Sequence, residues 1–348
     1  SLESFIYMPD ASDATYPAKE RFSEWTKFLP VVFIVCNILC VYAIYMIYHC
    51  IPLLSHSNTK NVGIVETSIF NFTTLMLVIN YIAAILVHPG TIPEKEAIGH
   101  TYWEYVPDPH ESHGRLASLA GAFSLQEKKA STGERRHCKW CVKYKPDRCH
   151  HCRVCRMCIL RMDHHCPWIY NCVGFRNYKY FFLLLFYACL TSNFVAWTMI
   201  STVKDAIDKP TTPLFTVFML LFGETLAAFL ALIVTLFFLF HIALMVQGMT
   251  TIEFCEKQYK KSGFDSQKYN RGVCGNITAS LGNNPFLWLV PLGVPEGDGL
   301  NYISEDSRLL EPGRGIIERK MERLDKVPKK KKKRAGAGTG ECSSQVSL

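Results

Sequence analysis

Charge is nearly absent from four stretches of this sequence. Leu29 to Ile51, Tyr180 to Val203 and Thr225 to Val246 contain no Asp, Glu, Lys or Arg, and Ile64 to Val87 contains only Glu66. Such runs exclude a chain built around one soluble core, because a surface helix needs a polar face. At about 1.5 Å per residue each run can cross a hydrocarbon layer of about 30 Å. Positive charge is also sparse between the first two runs, where Lys60 stands alone, and between the last two. The segment between the second and third runs is dense in Lys and Arg. The positive-inside rule puts that segment in the cytosol and, with four crossings, both termini with it. A secretory leader with a small-residue cleavage site is not recognisable. The chain opens on Ser1 rather than Met, so we expect upstream sequence to be missing.

What the sequence has in excess is cysteine. Of 15 cysteines, eight fall in one run: Cys138, Cys141, Cys149, Cys152, Cys155, Cys158, Cys166 and Cys172. His137, His150, His151, His164 and His165 are interleaved with them. C-x2-C pairs mixed with histidine have zinc spacing rather than disulfide spacing. Thiolate ligands last in a reducing compartment, so cysteine chemistry and the charge rule point independently to the cytosol. Two closed zinc sites of four ligands would use eight of these thirteen groups. At least one cysteine is then left over, and spacing does not say which.

Local chemistry favours Cys166. In an extended segment alternate side chains share a face, so His164 and Cys166 can meet. A histidine there can take the thiol proton and leave a nucleophilic thiolate. Asp163 could hold the His164 ring, as the third group does in nucleophile–base–acid arrangements. Strict alternation puts Asp163 on the other face, so this needs a bend, and Pro167 is consistent with one. Two alternatives stay open on spacing alone. Cys166 could be one more ligand, and the module could be a membrane-anchored zinc adaptor without catalysis. A zinc with an open catalytic position fits poorly where ligands are abundant. A nucleic-acid role fits poorly between two membrane runs.

The rest of the chain divides around these features. Residues 1–28 are a cytosolic N-terminal segment. Transmembrane helices 1 and 2 occupy 29–93, with Tyr42, Tyr45 and Tyr48 expected at an aromatic belt and His49 to Asn61 as a short polar loop. Asn71 and Asn80 are expected to hydrogen-bond between helices. A cytosolic linker (94–136), with a short helix near Leu116 to Gln126, leads to the cysteine-rich domain at 137–179. Transmembrane helices 3 and 4 lie in 180–249. Gly223-Glu224 is expected to split Leu214 to Met245 into an interfacial piece and a span from about Thr225, leaving Glu224 at the membrane edge. A cytosolic region (250–300) precedes a basic, disordered tail (301–348). That tail carries a short amphipathic helix at Ile316 to Leu324. Lys329 to Arg334 is suited to anionic lipid.

The central motifs are highly specific. Cys138-x2-Cys141, Lys145-Pro146-Asp147-Arg148-Cys149-His150-His151-Cys152, Cys155, Cys158, Asp163-His164-His165-Cys166-Pro167-Trp168 and Asn171-Cys172-Val173-Gly174 resemble the cysteine-rich domain of the DHHC protein S-acyltransferases, or palmitoyltransferases. Thr250-Thr251-Ile252-Glu253 resembles that family's TTxE motif, and Asn276 its C-terminal motif. The resemblance spans roughly residues 25–290. It implies an all-α integral membrane protein: four transmembrane helices with a cytosolic two-zinc cysteine-rich domain between helices 2 and 3. By the same resemblance, Cys138, Cys141, His151 and Cys158 would bind one zinc, and Cys152, Cys155, His165 and Cys172 the other. Cys166 would be the nucleophile, His164 the base and Asp163 its orienting group. Thr251 would support Asp163, and Asn276 would brace the C-terminal segment.

The implied reaction moves a long-chain acyl group, palmitoyl by preference, from acyl-CoA to Cys166 and on to a cysteine of a substrate protein. The acyl chain would lie among the spans, with Trp168 against it. Arg161, Arg176 and Lys179 are candidates to meet the CoA head or to snorkel. The expected compartment is an endomembrane (Golgi or endoplasmic reticulum) or the plasma membrane. Two departures stand out: His88-Pro89-Gly90 where the family usually has Asp-Pro-Gly, and Tyr170 where Asn is frequent.

Overall fold

A computed structural model describes residues 24–93, 103, 127, 135–259, 269–293 and 295–302. The helices expected at 116–126 and 316–324 and the basic run at 329–334 lie outside the described residues. Among the described residues, four helical segments are long and apolar enough to cross a membrane: Thr26–Ser55, Lys60–Leu86, Tyr178–Asp208 and Leu214–Val246. The first contains α1 (Leu29–Tyr45), a π-helical turn (Met46–Cys50) and α2 (Ile51–Ser55). The others are α3 (Lys60–Leu86), α4 (Tyr178–Asp208) and α5 (Leu214–Val246). Large apolar side chains such as Leu39, Phe72, Trp197 and Phe229 stand exposed along them, as a multi-pass membrane protein requires.

The structure corrects four expectations within the spans. α5 is unbroken through Gly223-Glu224. The glycine is there for contact, not for a turn: a Cβ on Gly223 would sit 2.5 Å from Ile44 Cγ2 of α1. Residues 49–55 are helix rather than loop. His49 is buried, with its ring nitrogens 2.7 Å from Thr202 Oγ1 and 2.8 Å from Glu66 Oε2. Tyr45 is not a belt residue: it is fully buried against Phe70, with its hydroxyl 2.7 Å from Thr198 Oγ1. A polar atom in an apolar bundle must find a partner, and these rings find theirs on the next helix. Asn71 likewise accepts the Tyr42 hydroxyl at 2.9 Å, whereas Asn80 donates only to Met76 O of its own helix.

α4 packs against both α3 and α5 and carries the bundle's central face. Phe181, Leu183, Val195 and Met199 of α4 are all buried. Between α3 and α4 lie three antiparallel hairpins: β1 (His137–Cys138) with β2 (Lys143–Tyr144), β3 (His150–Cys152) with β4 (Met157–Ile159), and β5 (His164–Cys166) with β6 (Asn171–Val173). After α5 the chain forms α6 (Thr251–Tyr259) and α7 (Gly272–Leu281). It then returns to α4, where the Tyr187 hydroxyl donates to Leu289 O at 2.7 Å.

Candidate active site

The three hairpins repeat every fourteen residues. Cysteines open their turns at 138, 152 and 166, and histidines precede them at 137, 151 and 165. A non-glycine residue with positive φ closes each turn: Val142 (φ 49°), Arg156 (φ 56°) and Tyr170 (φ 47°). In the first two turns a second cysteine follows at C-x2-C spacing, and its backbone N–H points at the first sulfur. Cys141 N lies 3.5 Å from Cys138 Sγ, and Cys155 N lies 3.3 Å from Cys152 Sγ. That knuckle brings two sulfurs to one side and stabilises thiolate.

Each knuckle is completed by a cross-strand pair from the next hairpin. His151 opposes Cys158 in β3–β4, and His165 opposes Cys172 in β5–β6. The ligand atoms of Cys138, Cys141, His151 and Cys158 lie within 4.8 Å of one another, as do those of Cys152, Cys155, His165 and Cys172. Three sulfurs and one imidazole in a closed group fit a structural zinc, and the described residues hold two such groups.

The third turn departs from the pattern at one position. Ile169 stands where a second cysteine would fall, inside a 3-10 turn, Pro167–Ile169. Cys166 therefore has a knuckle position and no knuckle partner. The fourteen-residue period was readable in the sequence and singles out this cysteine, which C-x2-C counting does not.

Cys166 is 6% exposed and sits in an apolar cluster drawn from every span. Tyr81 and Ala84 come from α3, Phe181 and Phe182 from α4, Met245 from α5, with Val31 and Ile34 of α1 packed alongside. His164 stands two residues before Cys166 on β5 and interacts with it. Its Nδ1 lies 2.7 Å from Asp163 Oδ2, so the chain does make the bend that alternation denied. Asp163 is fully buried and also accepts Thr251 N at 3.0 Å and Thr251 Oγ1 at 2.7 Å. Burial alone would raise Asp163, but the hydrogen bonds from His164 and Thr251 and the positive charge beside it outweigh that and hold the carboxyl below its usual range. Burial would lower His164, but its bond to Asp163 and its interaction with Cys166 prevail and raise it to about 9. A thiol, an imidazole and a buried carboxylate are thus brought together at the third hairpin.

Comparison with known proteins then decides the family. The family model described as DHHC palmitoyltransferase matches residues 131–258. Palmitoyltransferase ZDHHC15 of Homo sapiens is 32% identical over 281 residues, covering 79% of this chain and 82% of that protein. Palmitoyltransferase ZDHHC2 of Danio rerio is 30% identical, covering 79% and 76%. Probable protein S-acyltransferase 13 of Arabidopsis thaliana is 31% identical, covering 78% and 88%. The chain belongs to the DHHC palmitoyltransferase family.

In this DHHC protein the TTxE segment does two things. Thr251 meets Asp163, and Glu253 forms a buried ion pair with Arg148 of the zinc domain, at 2.7 and 2.8 Å. Arg148 also donates to Gly248 O and lies over the rings of Tyr269 and Tyr302. Sequence reasoning missed this pair, since the two residues are far apart in the chain. Asn276 donates to Val246 O at 2.8 Å and accepts Arg271 N at 2.9 Å, tying α7 to the end of α5. Asn171, also missed, donates to the carbonyls of Ala84, Ile85 and Val87 and so caps α3 with the third hairpin.

Both departures from the DHHC pattern have a local account. His88 Nδ1 accepts Gly90 N at 3.1 Å, the two-residue reach an Asp carboxylate makes in an Asx turn. Burial and nearby Arg176 lower His88 and keep it a neutral acceptor. Tyr170 occupies a left-handed position, which Asn tolerates better than Tyr, and its ring packs 4.7 Å from Phe28. Trp168 is half exposed, 6.1 Å from Phe33 of α1, and its carbonyl accepts the Tyr81 hydroxyl. Of the three cations suggested for the CoA head, two are committed elsewhere. Arg161 donates to Ala279 O and Ser280 Oγ, and Lys179 to Leu287 O and Leu292 O. Arg176 alone of the three is exposed.

Proposed function

We propose that this protein is a protein-cysteine S-palmitoyltransferase that works by two acyl transfers through Cys166. One observation carries the reading. Cys166 is the knuckle cysteine without a partner, and on its own strand, two residues away, stands the histidine that a buried carboxylate holds. In the first transfer His164 takes the thiol proton, and the Cys166 sulfur attacks the thioester carbon of a long-chain acyl-CoA. The CoA sulfur leaves with that proton. In the second, a substrate-protein cysteine gives its proton to His164 and attacks the acyl-Cys166 carbonyl. Cys166 leaves and takes that proton back from His164, ready for another cycle. Asp163 keeps the imidazole oriented and favours its charged form.

The apolar cluster around Cys166 supports a long acyl donor, since each buried CH2 contributes about 0.8 kcal/mol. The two Cys3His groups would hold zinc, which when bound fixes the hairpins that present Cys166. Substrate cysteines near a membrane would reach the site most readily. Lys329 to Arg334 would add attraction to anionic lipid. The lysine- and arginine-rich segment between the second and third spans supports a cytosolic zinc domain with both termini on the same side, in an endomembrane or the plasma membrane.

The test uses labelled palmitoyl-CoA on sealed microsomes, whose cytosolic face is outward. Label on wild type that neutral hydroxylamine releases, and none on Cys166→Ser, is the expected result. Equal label on both proteins removes the nucleophile. Label that appears only after detergent reverses the orientation.

A further inference from the structure

α5 carries a histidine that the site has not yet used. His241 is 1% exposed, and neither Nδ1 nor Nε2 has a hydrogen-bond partner. Aromatic rings enclose it: Phe237 at 4.7 Å and Phe181 at 5.0 Å, both edge-on, and Phe240 at 5.5 Å. Its polar neighbour is the imidazole of His164, with ring centroids 6.0 Å apart. A buried polar group without a partner costs about 1–3 kcal/mol. A neutral imidazole has both an N–H and a lone pair to satisfy. Phe238 and Met245, which pack in the Cys166 cluster, lie three residues before and four residues after it on α5 and share its side of the helix. His241 thus lies beside the His164 ring, in the buried surroundings of the site, with both ring nitrogens unused.

The chemistry of thioester transfer supplies the missing partner. When sulfur attacks the carbonyl carbon, the carbonyl oxygen becomes an anion and needs a donor. The Cys166–His164–Asp163 set has none to spare, because His164 is held by Asp163 at Nδ1 and its other nitrogen must carry the transferred proton. We propose that the His241 N–H donates to the acyl carbonyl oxygen, in both transfers. The proposal rests on the acyl-Cys166 reading. In each transfer the attacking sulfur bonds to the carbonyl carbon, the C=O electron pair moves to oxygen, and the tetrahedral adduct expels the leaving sulfur. The proton travels through His164, and His241 lends its N–H without giving it up. A zinc role does not compete, since both Cys3His groups are complete without it.

The decisive variants are His241→Phe, which keeps the aromatic packing, and His241→Gln, which keeps an N–H donor. Acyl-Cys166 would be formed from palmitoyl-CoA with 12C or 13C at the thioester carbonyl, and its C=O stretch read by infrared difference. The stretch should lie lower in wild type than in His241→Phe, with His241→Gln between. Single-turnover acylation should fall about 100- to 1,000-fold in His241→Phe with little change in KM for acyl-CoA, and partly recover in His241→Gln. A stretch identical in wild type and His241→Phe overturns the proposal, even if the rate falls, because packing alone would then be at work. Should His241→Phe lose zinc or fail to fold, the same comparison of wild type with His241→Gln decides the question. Absence of any hydroxylamine-labile acyl group on wild type would instead sink the underlying reading.

Discussion

At the scale of single residues the site turns on Asp163. Its carboxylate accepts from His164 and, twice, from Thr251. Asp163→Asn keeps the shape and one acceptor oxygen, but it removes the charge that sustains the His164 imidazolium. Single-turnover acylation of Asp163→Asn should fall about 100- to 10,000-fold, the range for losing a general-base arrangement. Thr251→Val deletes one of two donors and leaves the backbone N–H, so its loss should stay near one charged hydrogen bond, about 10-fold or somewhat more. Equal losses in the two variants would mean that Asp163 acts by folding the loop rather than by its charge. The ratio is informative only if both variants retain zinc, which metal analysis of the purified proteins establishes.

At the scale of elements the hairpins explain what spacing alone could and could not tell. The eight cysteines and five histidines announce zinc, and the order of charge and apolar runs announces four spans. Cys149 and Cys166 both lie outside the two metal groups, and what separates Cys166 is the fourteen-residue period, visible at 137–138, 151–152 and 165–166, together with Ile169. The contacts that escaped the sequence are those between elements distant along the chain. Gly223 looks like a breaker until Ile44 is found against it, and Tyr45 looks like a belt residue until Thr198 is found beside it. Neither partner can be chosen from a helical wheel, because all sides of these helices are apolar. The hairpin order also ranks the zinc groups. His165 and Cys172 flank His164 and Cys166 in the same hairpin, whereas Cys141 lies two hairpins away. Cys172→Ala should therefore abolish acylation and lower zinc content, while Cys141→Ala loses metal with a smaller loss of rate. Parallel zinc and acylation assays on the two variants check this, and a larger rate loss in Cys141→Ala would contradict it.

At the scale of the whole molecule the question is what joins the zinc hairpins to the membrane bundle. Arg148 and Glu253 are the strongest answer, because both are buried and the pair is bidentate. Glu253 also accepts Thr250 N at 2.9 Å, so the same carboxylate sets the start of α6, where Thr251 turns toward Asp163. Stability and catalysis thus pass through one side chain, and they can be separated. Glu253→Gln leaves a buried guanidinium without its countercharge, which costs about 3–5 kcal/mol. Its melting temperature in detergent should drop sharply. Replacing both members by Met removes the stranded charge, and a buried pair exchanged for apolar side chains of similar volume is often neutral in stability. The double variant Arg148→Met/Glu253→Met should therefore melt near wild type. Its acylation should remain slow, because nothing then holds Thr250 N and the Thr251 donors drift from Asp163. Recovery of both melting temperature and rate would reduce the pair to a stability element. Recovery of melting alone would make Glu253 the link by which the end of the fourth span sets the geometry of Asp163.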